Sequence, residues 1–315
     1  MNSTRTITLA LLSTLLLCVS GFFNLPAAAH QLDAPDLVET FPVGPNPAAM
    51  AFDGANIWVT SEGSYMVTKL RASDGAPLGT FLAGGHTAYA VFDGTYIWVT
   101  NLDNDGVTRL RASDGAMEGS FAVGEFPLDV IFDGANIWVA NDTGDSVTKL
   151  RASDGALLGT YPAPGEPINL AFDGANIWVT NYLDEAVTKL RASDGALLGR
   201  FSVGIGPEGI VFDGANIWVT NSSENTLTKL RASDGAFLGT RRVGEHPIYL
   251  AFDGANIWVS NFFDDTVMRL GHGLGVIKHA YAVDKNPGGM LFDGTSMWVA
   301  NFNNNTVNKI TRTPP

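Results

Sequence analysis

VGIGPEGIVFDGANIWVTNSSENTLTKLRASDGAFL, residues 203–238, holds four short apolar runs separated by turn signals and no helical period. Glu208 to Phe212 reads as a first strand and Ile217 to Thr220 as a second, rich in β-branched and aromatic residues. Leu227 to Arg231 and Phe237 to Val243 follow as the third and fourth. Asp213-Gly214-Ala215-Asn216 and Ser233-Asp234-Gly235 supply tight turns, because Gly and Asn tolerate positive φ.

The same pattern recurs along the chain. Phe-Asp-Gly begins at Phe52, Phe92, Phe132, Phe172, Phe212, Phe252 and Phe292, each 40 residues after the last, and Trp stands six residues beyond each Phe. A strict period of four antiparallel strands specifies an all-β, seven-bladed β-propeller, since an α-solenoid would need helical runs free of these Gly-rich turns. Trp58, Trp98, Trp138, Trp178, Trp218, Trp258 and Trp298 sit mid-strand between aliphatic residues, which predicts packing between blades rather than ligand stacking.

The termini predict how the ring closes. Val307 to Ile310 matches a third strand, so the seventh blade lacks its fourth, while Glu39-Thr40-Phe41 matches Gly79-Thr80-Phe81, a fourth strand without a blade. Residues 37–42 are therefore expected to complete the last blade beside residues 306–311 and remove two open sheet edges.

Residues 1–29 carry one charged side chain, Arg5, an apolar run from Leu9 to Val19 and the small residues Ala27-Ala28-Ala29, the pattern of a secretory signal peptide. Cleavage near Ala29 would leave residues 30–315 as one propeller domain, a monomer in the periplasm or outside the cell. Cys18 lies inside that segment, so the mature chain would have no thiol chemistry; lipidation of Cys18 is disfavoured by Leu17, where a small residue is expected. No other stretch is long and apolar enough to span a bilayer.

Comparing the seven copies separates two faces. The turns Asp-Gly-Ala-Asn and Arg-Ala-Ser-Asp-Gly hardly change, and fall on one face of an up-and-down blade. The loops from residues 61, 101, 141, 181, 221, 261 and 301 (SEGSYM, NLDNDG, NDTGDS, NYLDEA, NSSENT, NFFDDT, NFNNNT) and the blade-to-blade loops vary, and fall on the other. A specific site belongs on the variable face, where loops carry function on a rigid scaffold.

That face collects acids from Glu62 to Asp284 against Lys285 alone, and accounts for most of the net charge of −13. Nucleic acid, which Lys and Arg must meet, is thereby disfavoured as a partner. A protein, peptide or glycan, or a divalent cation, fits better. The plain alternative is that the acids only keep the surface solvated.

Candidate site residues follow from the copies that differ. His86 and His246 share one repeat position and would nearly face each other across the central channel, with Glu166 at the same position between them. Tyr89, Asp129 and Tyr249 lie three residues further along. His86, Glu166 and His246 are the candidates for acid-base or metal chemistry, although His is also an ordinary loop residue. Tyr89, Asp129, Tyr182, Glu208, Tyr249, Phe262 and Phe302 are the candidates for ligand contact. Asn141, Asp142, Asn181 and Asn221 could offer oxygen ligands to Ca²⁺ or Mg²⁺; the recurrence of the Asn in six blades favours instead a hydrogen bond that holds the following turn.

Ile-Trp-Val-Thr-Asn at 97–101, 177–181 and 217–221 resembles the YVTN family of β-propeller repeats, and the likeness covers nearly the whole mature chain. It extends more loosely to NHL repeats, gluconolactonase-like propellers and streptogramin B lyases. The resemblance implies a secreted or periplasmic seven-bladed binding or scaffold protein. The lyase and lactonase relatives imply an alternative, a metal-dependent lyase or lactone hydrolase working at the channel mouth. Their catalytic pattern is not matched residue by residue here, and the uniformity of these blades differs from the diverged blades of those enzymes.

Overall fold

In the computed structural model, the described residues are 36–271, 273–274 and 276–312. Residues 1–29, expected to be a signal peptide, and the expected cleavage point lie outside them. β1 (Leu37–Pro42) stands alone, and the first blade follows as β2 (Pro47–Phe52), β3 (Asn56–Ser61), β4 (Met66–Arg71) and β5 (Pro77–Leu82). The same four-strand meander repeats at the 40-residue period, giving seven four-stranded antiparallel sheets among the described residues. The first strands of successive blades neighbour one another round the ring and form the channel wall.

β1 closes the ring as the termini predict. It pairs antiparallel with Thr306–Thr311, from Leu37 opposite Thr311 to Pro42 opposite Thr306. Strand bounds differ from the sequence reading by one residue at most, because the ladder extends to the Pro and Asn residues that flank each apolar run.

Each Trp is buried and packs into the next blade, as its aliphatic neighbours imply. Trp58 with Ala51, Val67 and Ala83 of blade one meets Ile97, Val99 and Leu110 of blade two. Trp298 with Ala300 and Val307 of blade seven meets Ile57, Val59 and Leu70 of blade one across the closure. Seven such clusters fill the seven interfaces.

The Asp of Phe-Asp-Gly does more than turn the chain. Asp53 accepts hydrogen bonds from the backbone N–H of Ala55 (3.0 Å) and Asn56 (2.7 Å), from the Asn56 amide and from Trp58 Nε1 (2.8 Å). Lys69 Nζ lies 3.7 Å from it, sits over the Trp58 ring and donates to Ala112 O of the next blade at 2.7 Å. Burial opposes ionisation of Asp53, but hydrogen bonds from Asn56, Trp58 and Ala55 outweigh it and hold the carboxyl below its ordinary range. The recurrent Lys is thus a cross-link to the next blade rather than a simple counter-charge. At the closure, Lys309 Nζ donates to Ala72 O at 2.8 Å.

An aromatic ring in the fourth strand packs against the Trp in six blades, as Phe81 does on Trp58 with centroids 5.3 Å apart and planes 39° from parallel. The next blade's Arg-Ala-Ser-Asp-Gly turn closes over that ring. Gly115 has φ +77°, and a Cβ there would collide with Phe81, so both conformation and space demand glycine. The aromatic is missing once, and at that interface the turn opposite it changes too. Arg241 stands where the aromatic belongs, and residues 271–275 replace the usual turn. Leu274 moves into the vacated space, joining the Trp218 cluster, and its carbonyl accepts from Arg241 Nη1 at 3.4 Å.

Two outcomes test this framework. A chain beginning at Pro45 should melt roughly 10 °C or more below the parent, because it restores two open edges and removes Phe41 from Trp298; an unchanged melting temperature would refute the closure. Asp173→Ala should cost about 3–5 kcal/mol in urea unfolding, because it strands the buried Trp178 Nε1 and Lys189 ammonium. A loss below about 1 kcal/mol would show that the network is incidental.

Candidate functional site

The channel side chains are set by the second-strand threonine. The register between first and second strands shifts next to residue three of the first strand, which leaves backbone groups without ladder partners. Thr100 Oγ1 accepts from Tyr89 N at 2.9 Å and donates to Leu128 O of the next blade at 2.7 Å. Thr60 and Thr180 make the same bridge at Ala49 and Asn169. In blade three the position is Ala140, and Asp129 takes over the inter-blade link, with Oδ1 accepting from Val130 N and Oδ2 from Leu170 N, both at 2.8 Å.

Residue three of the first strand therefore forms a ring of side chains: Ala49, Tyr89, Asp129, Asn169, Gly209, Tyr249 and Gly289. Two of these must be small, since a Cβ on Gly209 would lie 2.8 Å from Ile248 O and one on Gly289 2.5 Å from Ala48 O. Tyr89 and Tyr249 meet across the channel, with ring centroids 6.1 Å apart and planes 22° from parallel. The pair divides the channel into two chambers.

The upper chamber opens on the variable face and has a volume of about 240 Å³. Its walls are Leu102, Leu128 and Ile248 with the tyrosine pair as floor, Phe262 and Phe302 at the rim, and the carboxylates of Glu62 and Glu208. The lower chamber, about 180 Å³, is lined by Asp129, Asn169, Tyr249 and the aliphatic residues beneath them.

Burial dominates the electrostatics. It pushes the Asp129 carboxyl up to about 7 against the two backbone N–H donors, and Glu208 up to about 7 against a hydrogen bond from Ser222. Glu62 is raised by burial and partly restored by His86. Tyr89 and Tyr249 are held protonated by burial and by the neighbouring acids, so both remain neutral rings. His246 Nε2 lies 4.0 Å from Glu208 Oε1, and burial holds this imidazole below its ordinary range.

The structure therefore brings together Tyr89, Glu208, Tyr249, Phe262 and Phe302 from the sequence candidates, with Asp129 beneath them. Tyr182 is half-buried to one side, against Gly206. His86 lies beside Tyr65 and acts on Glu62, and His246 lies against Phe262, Phe263 and Glu208, so each imidazole adjoins an acid of the upper chamber, whereas Glu166 stands beside Asp142. Among the described residues, no group of three or more His, Cys, Asp or Glu side chains gathers to hold a metal.

The Asn candidates are committed to the framework. Asn141 Oδ1 accepts from Gly124 N and its amide donates to Thr148; Asn221 does the same with Gly204 and Thr228. Asn181 bonds Ala163 O and the Thr188 hydroxyl. Each ties the third strand to the preceding blade connection, a wider role than holding the next turn. Asp142 is raised to about 6 by burial and by Glu166 and Asp145.

Two features of the variable face correct the sequence reading. Asp105, Asp145 and Asp265 have positive φ and accept the backbone N–H of Phe126, of Gly165 and Glu166, and of Asn286 in the following blade. These acids are inter-blade latches. Lys285 is also not the only cation there, because Arg200 reaches up from its fourth strand to Asp184 and Pro164 O. Sequence reasoning also passed over Glu62 as a site residue; its signal was the Glu-Gly in the one loop that starts with Ser61 rather than Asn.

No helix among the described residues is long and apolar enough to cross a membrane. No family model matches the chain, and no curated protein matches it. Solved structures match in fold. Virginiamycin B lyase from Staphylococcus aureus, as a catalytically inactive variant with quinupristin, superposes with a TM-score of 0.76 at 18% identity, over 88% of this chain and 99% of that one. A streptogramin B lyase gives 0.77 at 17%, over 88% and 98%. Hydrazine synthase of Kuenenia stuttgartiensis gives 0.77 at 15%, over 85% and 96%. At these identities the likeness shows the fold alone, and the unlike chemistries of these neighbours leave function to be sought in the site.

Proposed function

We propose that the chain is an exported binding protein of the YVTN-like propeller type, recognising a protein, peptide or glycan through its variable face. One observation carries this reading: the upper chamber opens at the centre of that face and combines aromatic walls with two carboxylates. Apolar walls with a few convergent polar groups are what a ligand pocket offers. The unlike loops around it would supply the wider contact with a partner, and their acids favour one that carries positive charge.

A second reading, a lyase, is favoured by the Glu208 and His246 pair at the same mouth and by the fold neighbours. Mass spectrometry of quinupristin incubated with the protein separates the two, since a lyase with that specificity would change the compound.

Binding is tested by titrating basic peptides and amino-sugar glycans against the parent and against Glu62→Gln/Glu208→Gln. We expect saturable binding that weakens at least about tenfold in the double variant. Arg151→Ala, on the uniform face, should leave it unchanged. Absence of any binding, or equal loss in both variants, would defeat the reading.

The chamber acids also set a pH dependence of stability. Asp129 and Glu208 have folded values of about 7 against ordinary values of 3.8 and 4.5, so the stability they lend while protonated is present at low pH and lost as pH rises toward 7. Asp53, Asp133, Asp173, Asp213, Asp253 and Asp293 of Phe-Asp-Gly act in the opposite sense: their values are lowered, so their contribution holds above 3.8 and is lost as pH falls below it. Thermal unfolding should therefore peak at about pH 4–5. Asp129→Asn, which leaves Tyr89, Tyr249 and Asn169 facing an amide, should flatten the decline toward neutral pH. An unaltered slope in that variant would remove Asp129 from the account.

A further inference from the structure

Four aromatic rings surround the upper chamber. Tyr89 and Tyr249 form its floor, and Phe262 and Phe302, on adjacent blades with centroids 6.5 Å apart, stand at its rim. Glu62 and Glu208 enter from blades one and five, and no Lys or Arg lines the cavity. Every charged group in the wall is therefore negative, and the ring faces carry the negative end of the aromatic quadrupole.

Size and hydrogen-bonding capacity narrow the cation. At about 240 Å³ the chamber is smaller than a drug-sized pocket and suits a head group rather than a whole molecule. A primary ammonium carries three donors and is strongly hydrated, so a mostly apolar wall would leave its donors short of acceptors. A quaternary ammonium has no donor to satisfy, and its methyl groups bear the charge against aromatic rings.

We propose that the upper chamber is an aromatic cage for a quaternary or fully methylated ammonium group, enclosed by Tyr89, Tyr249, Phe262 and Phe302 and balanced by Glu62 and Glu208. The inference rests on the reading that the channel mouth binds a ligand, and it names the chemical group taken in. That group could come from a free choline-like molecule or from a trimethylated lysine in a peptide.

Calorimetric titration of the purified protein with tetramethylammonium, choline, the neutral tert-butyl isostere of choline, a trimethyllysine peptide and its unmodified counterpart tests this. The cations should bind, and the isostere at least about tenfold more weakly, because it has the same shape without the charge. Phe302→Leu keeps an apolar wall but removes a ring, and Glu208→Gln removes a charge; each should weaken choline several-fold while the protein stays folded at the titration temperature, Glu208→Gln melting no lower than the parent at neutral pH.

Equal binding of choline and its isostere would overturn the cage in favour of a merely apolar pocket. Binding of unmodified basic peptides without any ammonium compound would overturn the cage and leave the peptide-binding reading standing. Choline binding with no peptide or glycan bound would uphold the cage and assign it a free small molecule, against a macromolecular partner. A trimethyllysine peptide bound more tightly than choline would uphold it and assign the peptide source.

Discussion

A buried carboxylate that receives the indole N–H of its own blade's tryptophan is the constraint on which this ring depends. Without Asp53, the Trp58 nitrogen would face an apolar interface unpaired, and Lys69 would have no reason to lie flat over the indole while reaching Ala112 of the next blade. One short motif thus settles a turn, the orientation of the largest core side chain and the link between blades. An unpaired polar group in that position would cost more than the bond contributes when made, which explains why Asp accompanies Trp in all seven copies.

The framework takes up more of the polar sequence than its loops suggest. Threonine hydroxyls repair the shifted register of the inner strands, asparagine amides stitch third strands to blade connections, and three loop aspartates cap backbone N–H groups across interfaces. What lies outside this repeated framework is compact: the ring of residues at the third position of the inner strands and the aromatics just above it. There the protein departs from uniformity, with two tyrosines filling the space that two obligatory glycines and an alanine leave.

The fold could be read from the repeat because period, turn chemistry and alternation all act locally. Even the pairing of residues 37–42 with the last third strand followed from counting strands. The site was legible in part. Tyr89, Asp129 and Tyr249 stood out as unlike residues at one repeat position, and the structure places them in one channel. His86, Glu166 and His246 shared a repeat position too, yet they do not gather into one cluster: the two imidazoles adjoin Glu62 and Glu208 and Glu166 stands beside Asp142, because most residues at that position lie in a left-handed turn beside their own blade's loop. Arg241 in place of an aromatic and the changed turn after Leu270 lie about 30 residues apart in sequence, and only the packing of Leu274 shows them to be one compensated exchange.

The sequence by itself determined seven blades, their four strands, the inter-blade place of each tryptophan and the manner of closure, since each depends on neighbours in the chain or on a period that repeats them. Tertiary structure alone decided which variable residues meet. Convergence across a ring joins residues of opposite blades, and whether their side chains reach one another depends on backbone register, on the room glycine leaves and on a threonine bridge. It also decided the ionisation of the chamber acids, because burial raises Asp129 and Glu208 to about 7, whereas hydrogen bonds outweigh burial at Asp53.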